Sequence, residues 1–544
     1  MTMFKEQLAA FSKAHWPAVL AAMTAAIAAW VAVRYAAQPL LEWEAFRQTQ
    51  TALTSYWMIR EGWQIPYQTP VLGYPWEIPY EFPIYQTIVA AIARLGGLHL
   101  DPVGRLVSFA FLLACAWPAF STARRLELPP ETAWIFSALL WSSPLYLFYG
   151  RAFLVETAAV FFTLAAIPYA LDLRDSSPSW RSAFLFSAFA SLAMLQKLFT
   201  AFPMLVVMLL VLLVSHLRTS RFAIPSWRRM AVVTTAFAIP FAFGGLWTRY
   251  ADLIRGRNPY GALTTVATQS TYYLGTLADR FDLVLLKTIF WDRVVTRNAG
   301  GLVGAAVVIG ALLLGDRRSK AILLVCLLLF ALPVLLFIRV HHYLDYYQVS
   351  SAVFLAAAVA VATIVWSART GGRRIAALLV LVMIGWNLFA FSRGYGRHVR
   401  KELSVGRTRA LAVGDVIRRY TPPESGVVVF GLLVHEGPSH PVTTWSSEIA
   451  YYSERKALTV EDGFEPHVWH DPASFLGGKE LGAIVVCARE DRARYNEVIS
   501  RYSVRGEPRV YDVGECQVWL PEARSIVLEG GRTVIPRALM APHP

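Results

Sequence analysis

Two carboxylates, an arginine and a glutamine fall within seven residues in Glu42-Trp43-Glu44-Ala45-Phe46-Arg47-Gln48-Thr49-Gln50-Thr51-Ala52, just past the first long apolar run. Further on, Arg151 and Glu156 bracket the turn Tyr149-Gly150-Arg151-Ala152-Phe153-Leu154-Val155-Glu156, and Lys197 separates two apolar runs. His341, His342, Asp345, Tyr346 and Tyr347 form a later polar insert. A carboxylate can take the proton of an attacking hydroxyl, and cations can hold a departing phosphate. Ionisable groups beside lipid are costly, which makes each of these a functional candidate. Each also has a plainer role. An acid at a helix start complements the helix dipole, a lysine snorkels to the headgroups, and paired tyrosines form an aromatic belt. For Glu44 the plainer role is weak, because a neighbouring acid and an Arg-Gln pair are a costly way to obtain a cap. No metal-ligand set stands out, since His341 and His342 are adjacent and cannot face one side of a helix. With no Gly-rich phosphate loop and no nucleophile elbow, nucleotide hydrolysis is not expected. Neither is a cofactor; metal-independent chemistry is expected, with a divalent ion left open.

The elements that must carry these residues are membrane helices. Apolar residues make up 56% of the 544-residue chain and charged ones 16%, against about a quarter charged in soluble domains. Apolar runs of helical length recur up to Trp386, long enough to cross a roughly 30 Å hydrocarbon layer. Eleven spans are predicted, at about 17–36, 104–123, 131–149, 153–171, 182–197, 199–215, 230–248, 300–314, 321–338, 347–366 and 375–392. The first is read as a retained anchor, because no small-residue cleavage pattern follows it.

The net charge of +14 does not point to nucleic acid. Its arginines gather in every second short loop, at Arg124 and Arg125, Arg174 and Arg181, Arg228 and Arg229, Arg317 and Arg318, and Arg373 and Arg374. The positive-inside rule makes those loops and the amino end cytoplasmic and places the carboxyl tail outside. Two long outer loops follow, about 37–105 and 250–300. Within the first, 44–59 has helical apolar spacing but is too short and polar to span, so it is expected to lie on the outer leaflet; 84–95 forms a second juxtamembrane piece.

Residues 1–392 thus form a membrane domain and 393–544 an exported soluble one. The tail mixes a helix-like stretch, Arg407 to Tyr420, with short β-branched runs at Val427 to Phe430, Ala483 to Val486 and Cys516 to Leu520, as in a small α/β layer structure. Cys487 and Cys516 can bridge if that tail meets an oxidising compartment, whereas Cys115 and Cys326 lie in apolar runs as packing residues.

At these residues the chain resembles the C-type membrane glycosyltransferases, in the branch related to protein O-mannosyltransferases and the aminoarabinose transferase of lipid A. The marks are one span followed by an outer loop opening with an acid and Phe46-Arg47-Gln48-Thr49-Gln50-Thr51-Ala52, the Glu81-Phe82-Pro83-Ile84-Tyr85 start of a juxtamembrane helix, the turn from Arg151 to Glu156, and His342 with Asp345-Tyr346-Tyr347-Gln348. The resemblance covers most of the first 390 residues. It implies sugar transfer from a polyprenyl-phosphate donor to a lipid, glycan or protein acceptor at the outer face of a bacterial cytoplasmic membrane, by one inverting displacement. It also implies roles: Glu44, then Glu42, as the acid of the first outer loop and Glu156 as the next; Arg47, Arg151 and Lys197 for the donor phosphate; Gln48, Glu81, Tyr85, His342, Asp345, Tyr346 and Tyr347 for substrate. Two departures weaken the transfer of roles. Related enzymes commonly carry Asp where Glu44 stands, and the aminoarabinose transferases carry a lysine near Glu81. A transporter or flippase and a lipid-linked polysaccharide ligase are the competing readings, but the polar residues cluster at one face and no repeat is visible.

Overall fold

The computed structural model describes residues 2–220, 226–370, 372–400, 405–430, 446–460, 468, 472–487, 509–514 and 516–521. The chain is a multi-pass helical membrane protein with a small mixed sheet in its tail. Helix α1 (Thr2–Arg34) leads into the loop bearing Glu42 and Glu44, then α2 (Ala45–Glu61) and α3 (Ile84–Gly96). α4 (Leu100–Ala114) and α5 (Ala116–Arg125) form one crossing. α6 (Pro130–Ser142) and α7 (Pro144–Tyr149) form a bent rod, broken at Ser143 because Pro144 disfavours helical backbone in its predecessor. α8 (Glu156–Asp172) packs against α9 (Trp180–Gln196), and α10 (Leu198–Ser220) restarts after a single extended residue, Lys197, at φ −161 and ψ 102.

The second half comprises α11 (Trp227–Arg255), α12 (Val266–Leu274) and α13 (Leu283–Leu286), which runs into a π-helical stretch, Lys287–Asn298. α14 (Gly301–Leu314), α15 (Arg317–Leu336), α16 (Ile338–Tyr343), α17 (Val349–Thr370) and α18 (Arg373–Arg393) follow. Among the described residues seven helices are long and apolar enough to cross a bilayer, or eight if the pair Leu283–Asn298 and Gly301–Leu314, bent by 98°, counts as one. The other three predicted spans coincide with α6–α7, α8 and α9. At 17 residues α8 and α9 reach roughly 25 Å, less than the hydrocarbon thickness. α6 to α8 are buried almost throughout, so protein rather than lipid surrounds them. α17 is central as well: 83% of its spanning window is buried, against 28% for α11.

The tail begins with α19 (Tyr395–Arg400) and α20 (Val405–Tyr420). Its five strands, β1 (Gly426–Phe430), β2 (Lys456–Val460), β3 (Leu481–Val486), β4 (Arg509–Val513) and β5 (Cys516–Leu520), take the order β2-β1-β3-β5-β4. β1 pairs parallel with β2 and β3; β5 pairs antiparallel with β3 and β4. A disulfide joins Cys487 to Cys516 at the end of the β3–β5 ladder. α21 (Glu448–Ser453) precedes β2 and packs on α2.

The first loop corrects one expectation. α2 forms where helical spacing places it, but it does not lie on lipid: eleven of its 17 residues are buried. The tail covers it. Ser447 meets the Thr49 hydroxyl at 2.8 Å and donates to the Phe46 carbonyl, and Thr54 meets Thr69 at 2.9 Å. The threonines that make α2 look amphipathic therefore face protein. α3 does behave as a juxtamembrane helix, with Ile92 and Leu95 exposed opposite a buried face of Tyr85, Val89 and Ala93.

The same loop extends the tail sheet. Thr459 N–H donates to Val71, Ala457 N–H to Pro70 and Gly73 N–H to Ala457, so 70–73 lies along the β2 edge that would otherwise be open. Asn258, fully buried, pins this segment: its amide donates to the carbonyls of Leu72, Gly73 and Pro75, while its oxygen accepts from Tyr260 and Gly261 N–H. Asn258→Ala orphans these groups and is expected to cost on the order of 2 kcal/mol or more. The melting temperature of the detergent-purified variant reads this directly; an unchanged value would mean that the loop is held by other contacts.

Candidate active site

The approach to the site is an ion cluster around Glu42. Its carboxylate accepts from Arg105 on α4 and from Arg151 at the α7–α8 turn, and all three side chains are almost completely buried. Arg105 also donates to the carbonyls of Gln38 and Pro39, and Arg151 stacks over Tyr35 and Phe148 at 5.9 and 5.7 Å. Burial alone would raise the Glu42 pKa, but the two guanidinium groups overcome it and hold the carboxyl below its usual range. One residue on, Trp43 Nε1 donates to Asp345 at 3.4 Å, and the phenols of Tyr149 and Tyr395 donate to the same carboxylate. Gln48 donates to the Trp43 carbonyl at 3.0 Å and accepts from Phe153 N–H at 3.1 Å. The loop is thus tied to α4, to the α7–α8 turn and to the segment at Asp345, on both sides of Glu44.

Glu44 itself is buried, with left-handed backbone at φ 58 and ψ 39 where α2 begins. A residue with a Cβ pays roughly 1–2 kcal/mol for that geometry, and such strain persists where surroundings over-determine it, commonly at functional sites. Its carboxylate lies within electrostatic reach of the phenols of Tyr149, Tyr272 and Tyr346.

Beyond Glu44 two further ion pairs converge. Arg47, one turn into α2, pairs with Glu81 and with the Gln50 side chain. Burial opposes its charge, but Glu81 together with the more distant Glu156 holds the guanidinium pKa above its usual value. Glu156, in the first turn of α8, pairs with Lys197 at the α9–α10 break, both nearly inaccessible. The Lys197 ammonium sits 4.9 and 4.5 Å from the ring centres of Tyr346 and Tyr347. Arg255, the last residue of α11, lies 5.4 Å over the Tyr80 ring, which Arg47 faces at 5.7 Å. Glu44 and Glu156 both act on Tyr346, so the two acids share one end of the bundle.

Glu44, Glu156, Arg47, Lys197, Glu81, Tyr346 and Tyr347 are therefore brought together. Other sequence-selected residues are not. Glu42 and Arg151 are spent on each other, Asp345 accepts three hydrogen bonds and holds Tyr346 and Tyr347 in place, and Gln48 bridges backbone groups. Tyr85 is fully buried and bonds to the Gly104 carbonyl and Ser108, fixing α3 on α4. His342 is half-buried beside Tyr343, whereas His341 turns inward, 6.1 Å from the Tyr347 ring. Sequence reasoning missed Arg105, Arg255, Tyr149 and Asn258. Arg105 alone carried a signal, a cation at the head of an apolar run. Among the described residues no three His, Cys, Asp or Glu side chains converge on a metal position.

No family model matches the chain, and no curated protein matches it. Solved structures do. The chain is similar to ArnT from Cupriavidus metallidurans, solved bound to undecaprenyl phosphate, with a TM-score of 0.62 at 14% identity over 92% of this chain and 98% of that one. It is also similar to the oligosaccharyltransferase of Archaeoglobus fulgidus, solved with zinc and sulfate, with a TM-score of 0.57 at 11% identity over 91% of this chain and 72% of that one. Both are C-type glycosyltransferases, and the likeness establishes that fold for the present chain.

Removing Glu42 strands two buried arginines, and breaking such a cluster costs about 3–5 kcal/mol. Glu42→Gln is expected to lose most folded protein on size exclusion while Glu44→Gln is retained. Because the folded carboxyl lies below its unfolded value of 4.5, its contribution is present above that pH and fades as acid carries the protein through the folded value. If Glu42→Gln proved as stable and as acid-sensitive as the parent, the cluster would not be what holds the loop.

Proposed function

We propose that the chain transfers a sugar from a polyprenyl-phosphate donor to a hydroxyl-type acceptor, with residues 1–392 as the transferase and 393–544 as an exported domain on the same side as the site. The supporting observation is the strained, buried Glu44 at the same end of the bundle as Arg47, Lys197 and Arg255, which are gathered among tyrosines. Cations among buried aromatics suit a lipid phosphate, and a separate carboxylate suits the acceptor. The C-type fold and the charge pattern of the loops favour the outer face of a bacterial cytoplasmic membrane.

In this reading the acceptor oxygen attacks the anomeric carbon from the side opposite the phosphate, giving inversion. The new C–O bond forms as the bond to the phosphate oxygen breaks, and its electron pair leaves with the polyprenyl phosphate. The acceptor proton passes to Glu44. Arg47 and Lys197 exchange part of their interaction with Glu81 and Glu156 for the phosphate, whose negative charge grows as the bond breaks. Glu156 then positions Lys197, while Glu42, Arg105, Arg151 and Asp345 position Glu44 and the tyrosine pair.

Glu44→Gln is isosteric and removes only the base. With general-base catalysis worth about 10²–10⁴, transfer should fall at least roughly 100-fold with donor binding retained. Glu156→Gln, which frees Lys197, should lose transfer while keeping or tightening donor binding. A radiolabelled polyprenyl-phosphate sugar assay in proteoliposomes with a panel of lipid, glycan and peptide acceptors measures both. Wild-type rates in both variants would remove the site; vesicle uptake without donor turnover would favour a transporter.

A further inference from the structure

Around the Glu156–Lys197 pair the described residues leave several buried polar atoms without a protein partner. Glu156 uses Oε1 for Lys197, and its Oε2 accepts from nothing. Gln196 Oε1 accepts from Tyr85 N–H at 3.1 Å, which leaves its Nε2 as an unused donor. Thr200, whose N–H returns to the Lys197 carbonyl, has an unbonded hydroxyl. His341, 1% exposed, has an unbonded Nδ1. Each such atom costs about 1–3 kcal/mol when nothing meets it, and several around one lysine are far more than chance packing leaves.

The chemistry of these atoms is specific. They offer one acceptor carboxylate oxygen, one amide donor, one hydroxyl able to do either, and one imidazole nitrogen. Burial, with Arg293 and Lys197 nearby, pushes the His341 pKa down to about 3, so the ring is neutral at physiological pH. Its backbone carbonyl accepts from Arg293 at 2.6 Å, which anchors the main chain at this residue. A mixed set of donors and acceptors, its one carboxylate balanced by Lys197, next to two aromatic rings complements a ring bearing several hydroxyls. The same cations near His341 disfavour a positively charged substituent there.

Building on the proposed sugar transfer, we infer that Glu156 Oε2, Gln196, Thr200 and His341 form the pocket for the transferred sugar, and that this sugar is an uncharged polyol rather than an amino sugar. The test is equilibrium binding of reconstituted full-length protein to short-chain polyprenyl phosphate, bare or carrying glucose, mannose, galactose, arabinose or an amino-pentose. At least one neutral sugar should bind tenfold or more tightly than the bare lipid phosphate, and the amino-pentose no more tightly. His341→Ala and the near-isosteric Thr200→Val should each erase most of that gain while leaving bare lipid-phosphate affinity unchanged, which also shows that the variants fold. The inference is overturned if the amino-pentose binds best, if no neutral sugar adds affinity, or if both variants keep the gain. Absence of any lipid-phosphate binding would instead defeat the transferase reading itself.

Discussion

Glu42 between Arg105 and Arg151 is the constraint on which the site depends. Two guanidinium groups and one carboxylate, stripped of water, leave a net positive charge inside the bundle, and full desolvation of ions is tolerated only with close pairing and added hydrogen bonds. Those additions are present as the Gln38 and Pro39 carbonyls and the faces of Tyr35 and Phe148. Because Arg105 belongs to α4 and Arg151 to the α7–α8 turn, the loop after α1 cannot move without breaking the cluster. That rigidity is what allows Glu44, two residues away, to be held in a backbone region it would otherwise avoid.

A second constraint acts from the other side. α2 carries Arg47 into the site on one face and a row of threonines on the other, and the tail covers that second face through Ser447. Lys456 on β2 reaches Glu61 and Gln68 and lies 4.8 Å over Trp57. Burial lowers its pKa, and the Glu61 carboxylate offsets part of that cost. With 70–73 lying along β2, the sheet and the first loop fold as one surface. The described residues of the tail thus contribute to the site by immobilising α2, which also explains why a helix with an apolar stripe is not lying on lipid.

Hydropathy made the helices legible, including those too short to cross alone, because burial in protein and burial in lipid select the same residues. Scarcity made the charges legible: an ionisable residue in a chain this apolar needs a partner or a task. What sequence does not show is which. Glu42 and Glu44 look alike as letters, and only the third dimension shows that Glu42 faces an arginine 63 positions away and another 109 away, while Glu44 takes a left-handed backbone at the start of α2. The same holds for the histidine pair, where one residue is fully buried and the other half-buried on a helix too short for periodicity to decide. Asn258 gave no signal, since a polar residue in a loop is unremarkable until its amide is found bonding five backbone groups.

The distribution of charge bears on how such a site can work. Arg47 and Lys197 each have a carboxylate partner before any substrate arrives, so the resting protein pays little for burying them. In the proposed transfer, an incoming lipid phosphate must compete with Glu81 and Glu156 for those cations. The competition favours the carboxylates while the phosphate carries a sugar and one negative charge, and shifts toward the phosphate as a second charge develops on bond cleavage. Pre-formed pairs therefore bind the bonded donor only moderately and the departing phosphate more strongly, which is the difference that accelerates a reaction. An arrangement of unpaired cations would bind both states tightly and gain less in rate, besides being far harder to bury.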